Sequence, residues 1–155
     1  VMDYIPAERR RNLSPVGRLD KDTEGLLVLT DDGALNHRLL APGKHVPKTY
    51  YAKIDGTVTE QEVTRFAKGL EIGEKKPTAP AILEILHSAE QSEIHVTITE
   101  GKFHQIKRMF HAVGMEVLYL KRLSMGTLQL DETLAPGAWR ELTADEIQQL
   151  KEEQP

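Results

Sequence analysis

The residue pattern predicts an α+β fold with a mixed, largely antiparallel sheet and flanking helices. Apolar and polar residues alternate in KTYYAKIDG (48–56), AILEILH (81–87) and EIHVTIT (93–99), which marks strands, the last two pairing antiparallel. Thr59 with Glu62, and Thr143 with Glu146, form capping boxes that open single helices between strands and not a repeated βαβ winding. No internal repeat or low-complexity segment interrupts the pattern.

In chain order, the apolar run GLLVLT (25–30) reads as a buried strand stopped by Asp31-Asp32-Gly33. Asp31 or Asp32 can cap a helix over 34–40, which Pro42-Gly43 ends. The helix after Thr59 carries Val63, Phe66 and Leu70 on its apolar side, and Gly69 marks its end. A helix over 103–113 places Phe103, Ile106, Phe110 and Val113 on one stripe and stops at Gly114. Strands are expected at 116–123, 127–130 and 138–142, before the helix opened by Thr143.

The chain has 155 residues, 39% of them hydrophobic and 28% charged, which suits one ordered domain with a single sizeable core, assigned to residues 1–155. No apolar stretch approaches the roughly 18 residues that a membrane helix needs, and no signal pattern opens the chain. A soluble, cytoplasmic monomer is expected. The absence of cysteine excludes disulfides and thiolate metal sites. A formal net charge of −4 argues against a generic polyanion binder, so any nucleic-acid surface must be local. Residues 101–123 supply such a patch, with Lys102, Lys107, Arg108, Lys121 and Arg122 against Glu116 alone, and His104 and His111 adding to it. Residues 141–155 are the reverse, with Glu141, Asp145, Glu146, Glu152 and Glu153 against Lys151.

Two segments carry chemistry. In GRLDKDTEGLLVLTDDG (17–33), Arg18, Asp20, Lys21, Asp22 and Glu24 crowd a loop that runs into the apolar strand. The bland reading is a solvated turn whose carboxylates cap backbone amides. A calcium loop is a sharper rival, since Asp20, Asp22, Glu24, Gly25 and Asp31 fall at positions one, three, five, six and twelve of an EF-hand. Against it, Val28 occupies the ninth position, the twelfth is not Glu, and LLVLT reads as strand where a helix is needed. The second segment, EGKFHQIKRMFHAVG (100–114), puts His104, Lys107 and His111 on one helical face beside the apolar stripe. A cation there favours the ionised form of a nearby carboxylate. Solvated charges on an amphipathic helix are the alternative, and zinc-type spacings such as HEXXH are absent.

Together these segments resemble the pseudouridine synthases, in the branch that modifies ribosomal RNA. GRLDKDTEGLLVLT is similar to the family's signature loop and strand, with Asp20 at the position of its essential aspartate. KTY (48–50) resembles its second motif, Tyr50 standing where the family's aromatic residue meets the target uracil. HQIKRM (104–109) resembles the third, with Ile106 packing near the base and Lys107 as the basic partner of the aspartate. This string is closer to the small-subunit enzymes than to the RNRQVRRM-like string of large-subunit ones. The resemblance implies a cleft across the sheet, no cofactor, no metal, and ribosomal RNA or an assembling small subunit as partner. It also implies that Arg18 holds RNA near the vacated position, with Lys102, His104, Arg108, Lys121 and Arg122 as further substrate contacts. The family's N-terminal S4-type domain and its NKPxG-like first motif have no counterpart here, so the chain reads as part of something longer.

Pseudouridine formation breaks the bond between uracil N1 and ribose C1′, turns the base and joins C5 to the same carbon. This suits a single carboxylate, acting by attack on C1′, by removing a ribose proton to give a glycal, or by adding to C6 of the ring, with Tyr50 stacking on the uracil and assisting removal of the C5 proton. The chief rivals are an RNA-binding module of the same fold without turnover and a large-subunit enzyme.

Overall fold

The computed structural model describes residues 1–41 and 46–152. Two short 3-10 turns, Met2–Tyr4 and Ala7–Arg9, precede the first strand. The strands are β1 (Ser14–Pro15), β2 (Glu24–Gly25), β3 (Leu29–Thr30), β4 (Lys48–Asp55), β5 (Ile82–His87), β6 (Gln91–Ile98), β7 (Glu116–Met125) and β8 (Leu128–Gln129). The helices are α1 (Gly33–Leu40), α2 (Glu60–Lys68), α3 (Gln105–Ala112) and α4 (Ala144–Glu152). The main sheet has the order β2-β7-β4-β6-β5, with β8 also on β7, and among the described residues its strand pairs are antiparallel except β2 with β7. β1 and β3 form a separate antiparallel ribbon. The expected α+β architecture is thus the observed one.

The run 25–30 is not one strand. Gly25 pairs in the main sheet and Leu29 in the ribbon, because the chain changes partners in between. Val28 alone of this run is buried, at 6% exposure. Residues 138–142 form no strand. Side chains hold that segment instead: Arg140 donates from Nε to Asp131 at 3.0 Å and from both terminal nitrogens to Glu146 at 2.8 Å.

The helix signals act locally and match closely. Asp32 caps α1 by accepting from the Leu35 amide at 3.0 Å. The expected stop at Pro42-Gly43 lies outside the described residues. Thr59 and Glu62 form the capping box of α2, and Gly69 follows its last residue at φ 94°. Thr143 and Glu146 exchange backbone-to-side-chain hydrogen bonds of 2.8 and 3.1 Å at the start of α4.

Period-two alternation gives β4 one buried face, on which Lys48, Tyr50, Ala52 and Ile54 line up with Ile94, Val96 and Ile98 of β6. Phe66 of α2 and Phe110 of α3 cover that face, both fully buried, with ring centroids 4.9 Å apart. A second cluster gathers Val16, Val28, Leu35, Leu39, Val46, Met125, Leu128 and Leu150 around the ribbon, α1 and α4. Among the described residues no helix is long and apolar enough to cross a membrane.

The Arg140 fork and the Thr143 amide hold the Glu146 carboxyl down at about 2, against an ordinary value of 4.5. A depressed carboxylate stabilises the fold above its unfolded value, and that contribution disappears as pH falls through the folded one. Acidification from 4.5 to about 2 should therefore lower the melting temperature of the wild type more steeply than that of Glu146→Gln. Parallel slopes for the two proteins would contradict this.

Candidate active site

The loop between β1 and β2 carries the charged segment. Its turn closes with the Thr23 amide donating to the Asp20 carbonyl at 2.9 Å, so Asp20 precedes the short strand that enters the sheet. That entry is tight. The Leu26 amide donates to the Arg122 carbonyl at 2.9 Å, and Arg122 returns a bond from Nε to the Leu26 carbonyl at 2.8 Å. Gly25 sits between them at φ 111°, and a Cβ there would overlap the Arg122 backbone, so only glycine suits the position.

Across from this loop lies the first turn of α3. Lys107 Nζ stands 3.5 Å from Asp20 Oδ2 and 2.5 Å from Asp22 Oδ1, bridging the two carboxylates. His104 Nε2 is 3.8 Å from Asp20 Oδ1. Asp20 is 28% exposed and Asp22 77%, so the Asp20 contact is the less screened of the pair. Partial burial pulls the Lys107 ammonium down, but its hydrogen bond to Asp22 and the charges of Asp20 and Asp22 outweigh this, leaving it above the usual lysine range. The same Lys107 bond, with a backbone bond, holds the Asp22 carboxyl below its ordinary value.

Tyr50 lies on β4, between β6 and β7, and not at a sheet edge. Its register partners are Val96 and Arg122. It is 9% exposed and shares its cluster with Ile106, the residue before Lys107. The helix thus brings Lys107 to the aspartate and Ile106 to the sheet face that bears the tyrosine.

The other expected substrate contacts scatter. Arg18 is exposed on the aspartate's loop. Lys102 reaches back to the carbonyls of Lys76 and Pro77 at 3.2 and 3.4 Å. Arg108 donates to the Phe103 carbonyl at 2.9 Å, to the Ile72 carbonyl, and to Glu74 at 3.1 Å. Both cations therefore brace the loops around α3. Lys121 and Arg122 are consecutive on β7 and must face opposite sides of the sheet. Arg122 faces inward at 2% exposure, so it is no surface phosphate contact. His111 pairs with Glu116 at 2.9 Å on the open surface, away from the aspartate.

Lys48 was passed over as a site residue, although its place two residues before Tyr50 already set it on the same face. It is 6% exposed, and burial, followed by the charge of Arg122, pulls its ammonium below the usual lysine range. Phe103 departs from its expected place in the buried stripe: α3 starts at Gln105 and Phe103 is 75% exposed.

The carboxylates of the loop diverge, which removes the calcium reading. Asp20 and Asp22 turn to Lys107, whereas Glu24 lies against Tyr119, whose phenol burial and that carboxylate push up to about 12. Among the described residues no three His, Asp or Glu side chains gather closely enough to share an ion.

The fold and the three segments point to one class, the enzymes that convert uridine to pseudouridine in RNA. Comparison with known proteins bears this out: the RNA pseudouridylate synthase family matches residues 1–112, and the chain belongs to it. It is 51% identical over 156 residues to an uncharacterized RNA pseudouridine synthase of Bacillus subtilis, covering 99% of this chain and 65% of that one. It is 45% identical over 148 residues to ribosomal small subunit pseudouridine synthase A of Salmonella typhimurium, covering 95% and 63%. The crystal structure of a pseudouridylate synthase superposes with a TM-score of 0.91 at 42% identity, over 96% of this chain and 64% of that one. The chain thus spans just under two thirds of the length of these relatives.

Gly25→Ala should cost at least about 2 kcal/mol in chemical denaturation, combining a strained φ with a backbone clash that cannot relax without separating β2 from β7. A loss below about 0.5 kcal/mol, the size of an ordinary surface substitution, would show that the close approach is dispensable.

Proposed function

We propose that residues 1–155 form a catalytic domain that isomerises a uridine of small-subunit ribosomal RNA to pseudouridine, with Asp20 as the reacting carboxylate. The observation that carries this reading is the pairing of Asp20 with Lys107, 3.5 Å apart, across the gap between the loop and α3. A carboxylate fixed by one cation and still 28% exposed can meet a substrate without first breaking out of the core. Identity to small-subunit enzymes supports the choice of RNA.

The reaction is redox-neutral and leaves the composition unchanged: the N1–C1′ bond breaks, the C5–C1′ bond forms, the C5 proton leaves to solvent and N1 takes one up. Extruding a stacked uridine costs on the order of a few kcal/mol, which binding must offset. Tyr50 and Ile106 belong to one cluster and are 9% and 4% exposed, so the apolar wall they form meets the uracil only through the small part left open. Lys107 orients Asp20 toward the ribose, and Asp22 shares that ammonium from the solvent side. Arg18, exposed on the same loop, holds RNA beside the extruded nucleotide in this reading.

Asp20→Asn keeps the side chain's size and removes its charge. In the full-length protein it should abolish tritium release from C5-tritiated small-subunit ribosomal RNA while leaving the melting temperature unchanged and RNA affinity within about twofold. Undiminished release by this variant would refute the assignment.

A further inference from the structure

A large apolar side chain stands beside Asp20 with no use in the fold. Phe103 is 75% exposed, more than any other large hydrophobic residue described. Its ring stacks on His104, with centroids 3.9 Å apart and planes 17° from parallel, and His104 is itself 3.8 Å from Asp20. The aromatic pair therefore reaches from the candidate catalytic carboxylate out to solvent, and the outer ring keeps one face free.

Hydrogen bonds brace the turn that presents it. His104 adopts a left-handed conformation, φ 48° and ψ 40°, which few non-glycine residues take up. Arg108 donates to the Phe103 carbonyl, and the buried Gln105 accepts from the Lys102 amide at 3.0 Å while donating to Glu100 at 3.0 Å. Glu100 also accepts from the Ala79 amide at 2.7 Å. An aromatic ring held out by a strained, braced turn loses little side-chain freedom when something flat lands on it.

Resting on the activity proposed above, we infer that Phe103 is a stacking platform for the base next to the extruded uridine. Extrusion leaves that flanking base without one of its stacking neighbours, and an aromatic side chain replaces the lost contact whatever the base. The position fits, since the platform is separated from Asp20 by a single imidazole. It also makes Phe103 a positioning residue: it touches the neighbour of the reacting nucleotide and sets its register over the carboxylate.

The test uses the full-length protein with Phe103→Ala and Phe103→Trp. One readout is tritium release from C5-tritiated small-subunit ribosomal RNA. The other is the fluorescence of an oligoribonucleotide spanning the modified uridine, with 2-aminopurine in place of the adjacent base. The wild type and Phe103→Trp should quench the probe and share the same kcat/KM within about threefold. Phe103→Ala should lose the quenching and drop kcat/KM about tenfold, the size expected for one base stacked on one ring. Unchanged quenching and kcat/KM in Phe103→Ala would overturn the inference while leaving the proposed activity standing. So would a lowered melting temperature with quenching intact, which would show Phe103 covered by protein. A wild-type protein that releases no tritium would remove the activity and the platform together.

Discussion

The close backbone approach of Gly25 to Arg122 is the constraint on which the site depends. It admits β2 to the sheet as the one parallel neighbour of β7, and so fixes where the preceding loop ends. Asp20 sits five residues upstream, too near to wander once that end is pinned. The aspartate's position is therefore set by a contact in which it takes no part. Lys107 and His104 arrive from another direction, on a helix packed against the sheet through Ile106, Met109 and Phe110. Loop and helix are each located by packing, and their charged tips meet as a result.

Much of this was legible because it is local. The capping boxes at Thr59 and Thr143 use residues three apart, and the alternation in β4 and β6 needs only a period of two. The motif spacing placed Asp20, Tyr50 and Lys107 on a loop, a strand and a helix, which is where they lie. What the sequence concealed depends on distant partners. GLLVLT is apolar throughout, and nothing within it reveals that its two ends pair with β7 and β1. Phe103 continues a perfect helical stripe on paper, but the left-handed turn at His104 starts the helix later and swings the ring outward.

The basic segment shows how counting charges by stretch overstates a surface. Lys102 and Arg108 donate chiefly to carbonyl oxygens of the 72–77 and 103 backbone, and Arg122 is buried against Leu26. Strand period alone puts Lys121 and Arg122 on opposite faces of the sheet. The segment's cations left for a polyanion are fewer than its composition suggests.

β7 deserves a last consideration because it belongs to both hydrophobic clusters. Leu120 packs in the one under α2 and α3, whereas Met125 packs in the one that holds α1 and α4. A strand shared in this way couples the two halves mechanically: neither can melt without tearing side chains from the other. Heat or denaturant should then take the molecule apart in one concerted event, with no half-folded species in between.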